Sequence, residues 1–275
     1  MTALGASLDE KSELTDAVFR RVARLAKENW GLNLEDGKRP LVTARLWKRV
    51  IASGAGDFPS YIGKVEDGDQ VECDHFISAL TTNVTHFFRE QHHFDLLESS
   101  ILPRFRGRGP LRIWSAGCSS GQEPYSIAAS VRAVLGASAD ARILATDVDP
   151  DILERAQKAV YTNSETSFPN PALEARVFDK KHEEQQRAVR ANLVDLITFR
   201  RLNLIQPWPI SGRFDVIFCR NVAIYFDKPT QANLWAQFAA HLNPNGFLFI
   251  GHSERIETPE AIGLCPAGIT TYQKQ

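Results

Sequence analysis

The feature that most limits how this 275-residue chain can fold is a short apolar run, Leu111 to Trp114, passing directly into Ser115-Ala-Gly-Cys-Ser-Ser-Gly121 and then into Gln122, Glu123 and Pro124. Glycines at 117 and 121 let the backbone turn sharply and come close to a ligand, and proline is accommodated in a first helical turn, where no amide donor is needed. Strand, glycine loop and helix at the start of an α/β sheet make a nucleotide-type site at the carboxyl ends of the strands. The loop is not G-x-G-x-x-G, and Glu123 stands where a pyrophosphate would want a positive or neutral surface. That disfavours NAD and favours a cofactor without phosphates.

The chain around this loop has the rhythm of strands alternating with helices. Apolar runs at Leu111 to Trp114, Arg142 to Ala145, Phe214 to Cys219 and Phe247 to Ile250 are interleaved with helical patterns at Pro124 to Leu135, Asp149 to Ala159 and Thr230 to Leu242. This implies an α/β domain with a mainly parallel sheet covered on both faces. Residues 160–200 interrupt the rhythm with Pro169, Pro171, a polar stretch from Asp179 to Arg187 and a late strand candidate at Leu196 to Phe199, and are expected to be an insertion.

The first 75 residues read differently. Val18, Phe19, Val22, Leu25 and Ala26 recur at helical steps, a second helix begins near Pro40, and Val71 to Leu80 places Phe76, Ile77 and Leu80 on one side. The expected organisation is an all-α domain over 1–75, a linker over 76–109 and an α/β domain over 110–275. Net charge is -1, which argues against a surface built for the phosphate backbone of nucleic acid. Cys73, Cys118, Cys219 and Cys265 lie far apart without metal-ligand spacing, consistent with free thiols in a reducing cytosol. No signal peptide or bilayer-length apolar run is visible, and a cytoplasmic protein is expected.

The second strand, Ile143 to Asp147, ends in a carboxylate, as a ribose-binding strand does, 30 residues after Gly117. Asp149 competes for the role of capping the following helix.

Four segments carry a family resemblance: Thr81-Thr-Asn-Val-Thr-His-Phe-Phe-Arg-Glu90, Trp114 to Ser126, Phe218-Cys-Arg-Asn-Val-Ala-Ile-Tyr-Phe-Asp227 and Gly251-His-Ser-Glu254. In order and across nearly the whole chain, they resemble the chemotaxis receptor methyltransferases, the CheR family. The resemblance implies a Rossmann-like S-adenosylmethionine-dependent methyltransferase domain with a small inserted subdomain, preceded by an all-α domain. It implies methyl transfer to glutamate side chains of chemoreceptors; because the sulfonium of S-adenosylmethionine carries its own leaving group, no metal is expected to be required, and a monomer is expected.

Carried over position by position, it implies an S-adenosylmethionine pocket formed by Asn83, Thr85, Arg89, Glu123, Asp147, Asn203, Leu204, Arg220 and Asn221, with Arg89 and Tyr225 placing the substrate. The chemistry agrees where it can speak: Glu123 can pair with the methionyl ammonium, Asp147 suits the ribose, and the Asn203 amide can read the adenine edge. Simpler roles stay open, with Asn203 capping a turn, Arg220 pairing with an acidic neighbour, and Phe87, Phe88 and Phe94 in the core. His86, His92, His93 and His252 are expected at the surface or in loops.

Between Gly37 and Gly56 the chain carries five basic residues, Lys38, Arg39, Arg45, Lys48 and Arg49, and no acidic one. Arg45, Lys48 and Arg49 share a helix face, which the resemblance reads as docking to the acidic methylation helices of receptors. The place of the insertion matches a small β-subdomain that grips a receptor peptide in some members, although residues 160–200 carry no clear peptide-site signature. The rival readings are a methyltransferase with a different substrate and a non-catalytic S-adenosylmethionine-binding adaptor. Against base methylation, the region after the fourth strand reads Arg220-Asn-Val-Ala-Ile-Tyr225, without the paired prolines of that class.

Overall fold

A computed structural model describes residues 13–179 and 185–275, and every statement below concerns these. They form two compact units: residues up to Thr82 together with Tyr225–Thr230, and Asn83–Ile224 together with Gln231–Gln275.

The first unit holds four helices, α1 (Asp16–Trp30), α2 (Arg39–Ala52), α3 (Phe58–Glu66) and α4 (Gln70–Leu80). The stripe expected on α1 is its buried face, and Thr15 caps the helix by accepting the Val18 amide. The helix α3 is an addition to the elements expected from the sequence. Its signals were present: Asp57 caps it, Pro59 stands in its first turn, and Phe58, Tyr61, Ile62 and Val65 are buried at helical spacing. The boundary expected at residue 75 falls inside α4, whose Phe76, Ile77 and Leu80 are buried, so the unit continues to Thr82.

Nor do residues 83–109 behave as a linker. They carry α5 (Gln91–Leu96), a π-helical turn over Leu97–Ile101 and a 3-10 turn over Leu102–Phe105. Phe87, Phe88, Phe94, Leu97, Ile101 and Leu102 belong to the hydrophobic core of the second unit. Their burial next to the sheet and its helices makes this segment part of the α/β domain. The three phenylalanines take the core role left open for them.

The second unit is built on a seven-stranded sheet: β1 (Leu111–Ala116), β2 (Ala141–Asp147), β5 (Ile197–Arg201), β6 (Phe214–Cys219), β7 (Leu242–Ile250), β8 (Leu264–Gly268) and β9 (Thr271–Lys274). Their spatial order is β5-β2-β1-β6-β7-β9-β8. Neighbours from β5 to β7 are parallel, while β9 runs antiparallel to both β7 and β8. The terminal hairpin β8–β9 was not anticipated. Its residues alternate weakly and include Pro266 and Gly268, both poor strand signals.

The connecting helices are α6 (Gln122–Leu135), α7 (Pro150–Lys158), α8 (Pro171–Val177), α9 (Ala191–Val194) and α10 (Lys228–His241). The insertion is smaller than expected. Two short strands, β3 (Val160–Thr162) and β4 (Gln186–Ala188), pair antiparallel with α8 between them, whereas β5 is an edge strand of the main sheet, with Ile143 opposite Ile197. Part of the polar stretch after Asp179 lies outside the described residues.

The topology fixes where a ligand site can lie. β1 has β2 on one side and β6 on the other, so the chain order reverses between β1 and β6, and a crevice opens beyond their carboxyl ends.

Candidate active site at the β1 and β6 carboxyl ends

The glycine loop leaves β1 at Gly117, whose φ is +80°, and a Cβ there would sit 2.3 Å from Val222 Cγ2 in the loop after β6. Only glycine permits this conformation and this approach together. Ser119 then donates its amide to Asp147 Oδ2 at 2.9 Å, tying the loop to the end of β2, while the Asp149 amide holds Oδ1 at 3.1 Å. Burial pushes the Asp147 carboxyl up to about 6, against the pull of these amides.

The two acidic residues after β2 have separate tasks. Asp149 Oδ1 accepts the amides of Asp151 and Ile152, and its Oδ2 accepts Asn83 Nδ2 at 2.8 Å. Asp149 is therefore the helix cap, and Asp147 is left half-buried at the strand end. Asn83 also receives Ser119 Oγ on its carbonyl, so it braces the glycine loop.

Opposite stands a nearly buried ion cluster. Glu123, in the first turn of α6, accepts Ser115 Oγ at 2.7 Å and Arg220 Nη1 at 3.2 Å. The Arg220 side chain is 2% exposed; it also faces Glu90 Oε2 at 3.3 Å and donates to the Arg89 carbonyl. The pairing considered for Arg220 is thus real, and it is double. Burial pushes the Glu123 carboxyl up, with Arg220 and Ser115 opposing. For Glu90 burial pushes the same way, but Arg220 and His252 outweigh it and hold the carboxyl at about 2. Counting Glu90 and Glu123 against Arg220, the cluster carries one net negative charge, which suits a cationic ligand group.

Glu254 supplies what the sequence reading left without a role. Buried at the end of the Gly251 to Glu254 segment, its carboxylate accepts the amides of Gly251 (2.6 Å), Val222 (2.9 Å), Asn221 (3.1 Å) and Ile224 (3.3 Å). One carboxylate fixes the whole turn after β6, including Asn221 at φ +59°. Gly251 lets Asn221 approach, since a Cβ there would lie 2.6 Å from Asn221 Nδ2. The available signal was an acidic residue just past a strand end.

The other named positions fall as follows. Arg89 Nη1 donates to the Val84 carbonyl at 2.9 Å, and Thr85 is half-buried beside it in sequence. Asn203 follows β5 and its Oδ1 accepts the Ile205 amide at 3.2 Å, the turn-capping role left open for it, while Leu204 is buried. Tyr225 is grouped with the helical unit; its hydroxyl donates to the Thr82 carbonyl at 3.4 Å.

His93 corrects the expectation for the histidines: it is fully buried on α5, whereas His86 and His252 are exposed. Burial, reinforced by Arg220, pushes its ring down to about 3.

Among the basic residues of α2, Lys48 alone is exposed, while Arg39, Arg45 and Arg49 are half-buried. Arg45 Nη1 donates to the Leu80 and Thr81 carbonyls at 3.2 and 2.8 Å, and Arg49 Nη2 contacts both Glu72 oxygens at 3.1 and 3.0 Å.

The residues at the crevice fit S-adenosylmethionine. A carboxylate ends β2 for a ribose diol, a net negative cluster is tied to the end of β1 through Ser115 for an ammonium, and the cation of that cluster, Arg220, is already paired with two carboxylates. Comparison with known proteins bears on the same residues. Residues 83–268 match the family described as CheR methyltransferase, SAM binding domain, and residues 17–81 match CheR methyltransferase, all-alpha domain. A probable chemotaxis protein methyltransferase of Rhizobium etli is 42% identical over 252 residues, covering 88% of this chain and 94% of that protein. The chemotaxis protein methyltransferases of Salmonella typhimurium and Escherichia coli are each 40% identical over 259 residues, covering 92% of this chain and 88% and 89% of theirs. With both of its units matched and relatives aligned over most of their length, the chain belongs to the CheR methyltransferase family.

Proposed function

We propose that this chain transfers a methyl group from S-adenosylmethionine to glutamate side chains of chemoreceptors, forming methyl esters. The observation that carries the reading is the pairing, at one topological switch point, of a half-buried carboxylate at the end of β2 with a negative Glu123, Arg220 and Glu90 cluster. When bound, S-adenosylmethionine supplies a methyl group already activated by its sulfonium. Asp147 would hold the ribose hydroxyls and Glu123 the ammonium, with Asn83, Thr85, Arg89, Asn203, Leu204, Arg220 and Asn221 completing the pocket.

A glutamate is ionised near pH 7, so no side chain has to remove its proton. The remaining tasks are to exclude water and to align the reacting carboxylate, which Arg89 and Tyr225 perform as orienting groups. An arginine that gripped the carboxylate too firmly would stabilise the ground state. The receptor meets α2, where Lys48 is the exposed cation and Arg45 and Arg49 hold the helix that presents it. The site of action is the cytoplasmic side of the receptor; among the described residues no helix is long and apolar enough to cross a membrane.

The test is transfer of radiolabelled methyl from S-adenosylmethionine to membranes containing candidate receptors. Base-labile label on the receptor is expected. Cofactor binding with no transfer to any receptor would favour an adaptor, and base-stable label a different methyltransferase.

A further inference from the structure

We propose that Glu90, His92 and His93 form a binding site for a divalent cation of the zinc class. One carboxylate oxygen and one ring nitrogen from each histidine lie within 4.8 Å of one another. His93 is completely buried, and its Nε2 lies 2.8 Å from Thr270 Oγ1 and 3.2 Å from the Ile269 carbonyl. A carbonyl only accepts, so Nε2 carries the proton and Nδ1 of the neutral ring presents its lone pair.

That lone pair has no hydrogen-bond partner, and it faces Glu90 Oε2 across 3.5 Å. Oε2 is itself a buried acceptor without a hydrogen bond, and His92 Nε2 is a third buried atom in the same condition. The buried Nδ1 lone pair of His93 therefore meets a carboxylate oxygen whose only other charged neighbour among the described residues is the Arg220 guanidinium at 3.3 Å, and a ring nitrogen of His92 belongs to the same cluster. Buried polar groups are normally satisfied, and such a set calls for a guest.

The geometry selects the guest. A carbonyl holding one ring N–H aims the opposite nitrogen, as it does for metal-ligating histidines. Bonds of about 2.0–2.1 Å in a tetrahedral site separate donor atoms by roughly 3.3 Å, close to the Nδ1 to Oε2 spacing. Two imidazoles and one carboxylate suit zinc better than magnesium or calcium, and they leave a fourth position for water. Arg220 opposes the cation, with Nη2 3.3 Å from Oε2. It keeps Glu123 and the Arg89 carbonyl when Oε2 turns to a metal, and Glu90 and Glu123 leave the cluster one negative charge in excess. Occupancy draws Glu90 away from Arg220. If the proposed cofactor role of Arg220 holds, it also changes affinity for S-adenosylmethionine.

The experiment uses the full untagged chain, stripped with chelator and titrated with Co2+ as an optical probe in the absence of any methyl donor. One Co2+ per chain is expected, with visible absorption of a low-coordinate site that Zn2+ displaces. His92→Ala should weaken binding at least about 10-fold, because it removes one of three ligands; Glu90→Gln, of the same length, should do likewise, and His241→Ala should bind as wild type. Urea unfolding of each variant separates loss of ligand from loss of fold. Absence of Co2+ binding to the wild-type chain, or equal binding by folded His92→Ala, would overturn the site and leave the orphaned atoms to ordered water. Neither outcome depends on whether the chain methylates receptors.

Discussion

Arginines serve opposite ends in the two units. In the helical unit Arg49 pairs with Glu72 while 23% exposed, and Arg45 closes the carbonyl end of α4; both links are local and partly solvated. In the α/β unit Arg220, just past β6, is 2% exposed and bridges two carboxylates, one from α6 and one from the turn before α5. The first arrangement is what a small helical bundle needs to hold its ends. The second places charges where burial penalises them, and such sites recur where ligands bind. The carboxyls mark the same contrast: burial pushes Glu123, Asp147 and Glu254 up in the α/β unit, whereas Asp16 and Glu66 in the helical unit are held down by hydrogen bonds from partly exposed arginine partners.

This contrast can be broken most directly at Arg220. Arg220→Met should strand Glu90 and Glu123 without their cation and cost about 3–5 kcal/mol in urea unfolding, whereas Arg49→Met in the helical unit should cost about 1–3 kcal/mol. Equal losses at the two positions would erase the distinction. Next in size, Glu254→Gln keeps one acceptor oxygen and turns an NH2 toward backbone donors, for an expected loss of about 3 kcal/mol. A loss under about 0.5 kcal/mol would mean the turn after β6 holds itself.

Asp147→Ala should weaken S-adenosylmethionine binding by about 1–3 kcal/mol in calorimetry. The sign with pH follows from its raised carboxyl. Ribose hydroxyls donate to the ionised form, so affinity is full above about pH 6 and falls as pH drops through that value, and Asp147→Asn should flatten this profile. Stability moves the other way: a folded value above the unfolded 3.8 means that Asp147 favours folding at low pH, and that this contribution fades as pH rises through about 6. The smallest effect is at Lys48. Lys48→Glu should leave unfolding within about 0.5 kcal/mol and lower receptor methylation in a salt-dependent way, while S-adenosylmethionine affinity stays unchanged. Normal methylation by this variant at low salt would move the docking surface away from α2.

How legible the chain was depended on the range of each interaction. The α1 stripe from Val18 to Ala26, the Gly117 to Gly121 loop and the acidic end of β2 are local patterns, and each stands where periodicity or spacing put it. The segment from Phe87 to Leu102 was misjudged as a linker because its burial depends on helices and strands far along the chain. The hairpin β8–β9 was missed for the same reason, since weakly patterned strands are stabilised by pairing at a sheet edge.

By itself the sequence determined the fold class, the family and the presence of a glycine loop followed by carboxylates, because these rest on short-range spacing and side-chain chemistry. Only the tertiary structure decided which charge faces which. It separated Asp149 the cap from Asp147 the strand-end carboxylate that holds the glycine loop, joined Arg220 to Glu123 and Glu90, turned Arg45 inward toward the end of α4, and set Glu254 beneath the turn after β6. Ion pairs and desolvation depend on distances of a few ångströms between residues far apart in the chain, 131 positions in the bond from Arg220 to the Arg89 carbonyl, and no local pattern encodes such distances.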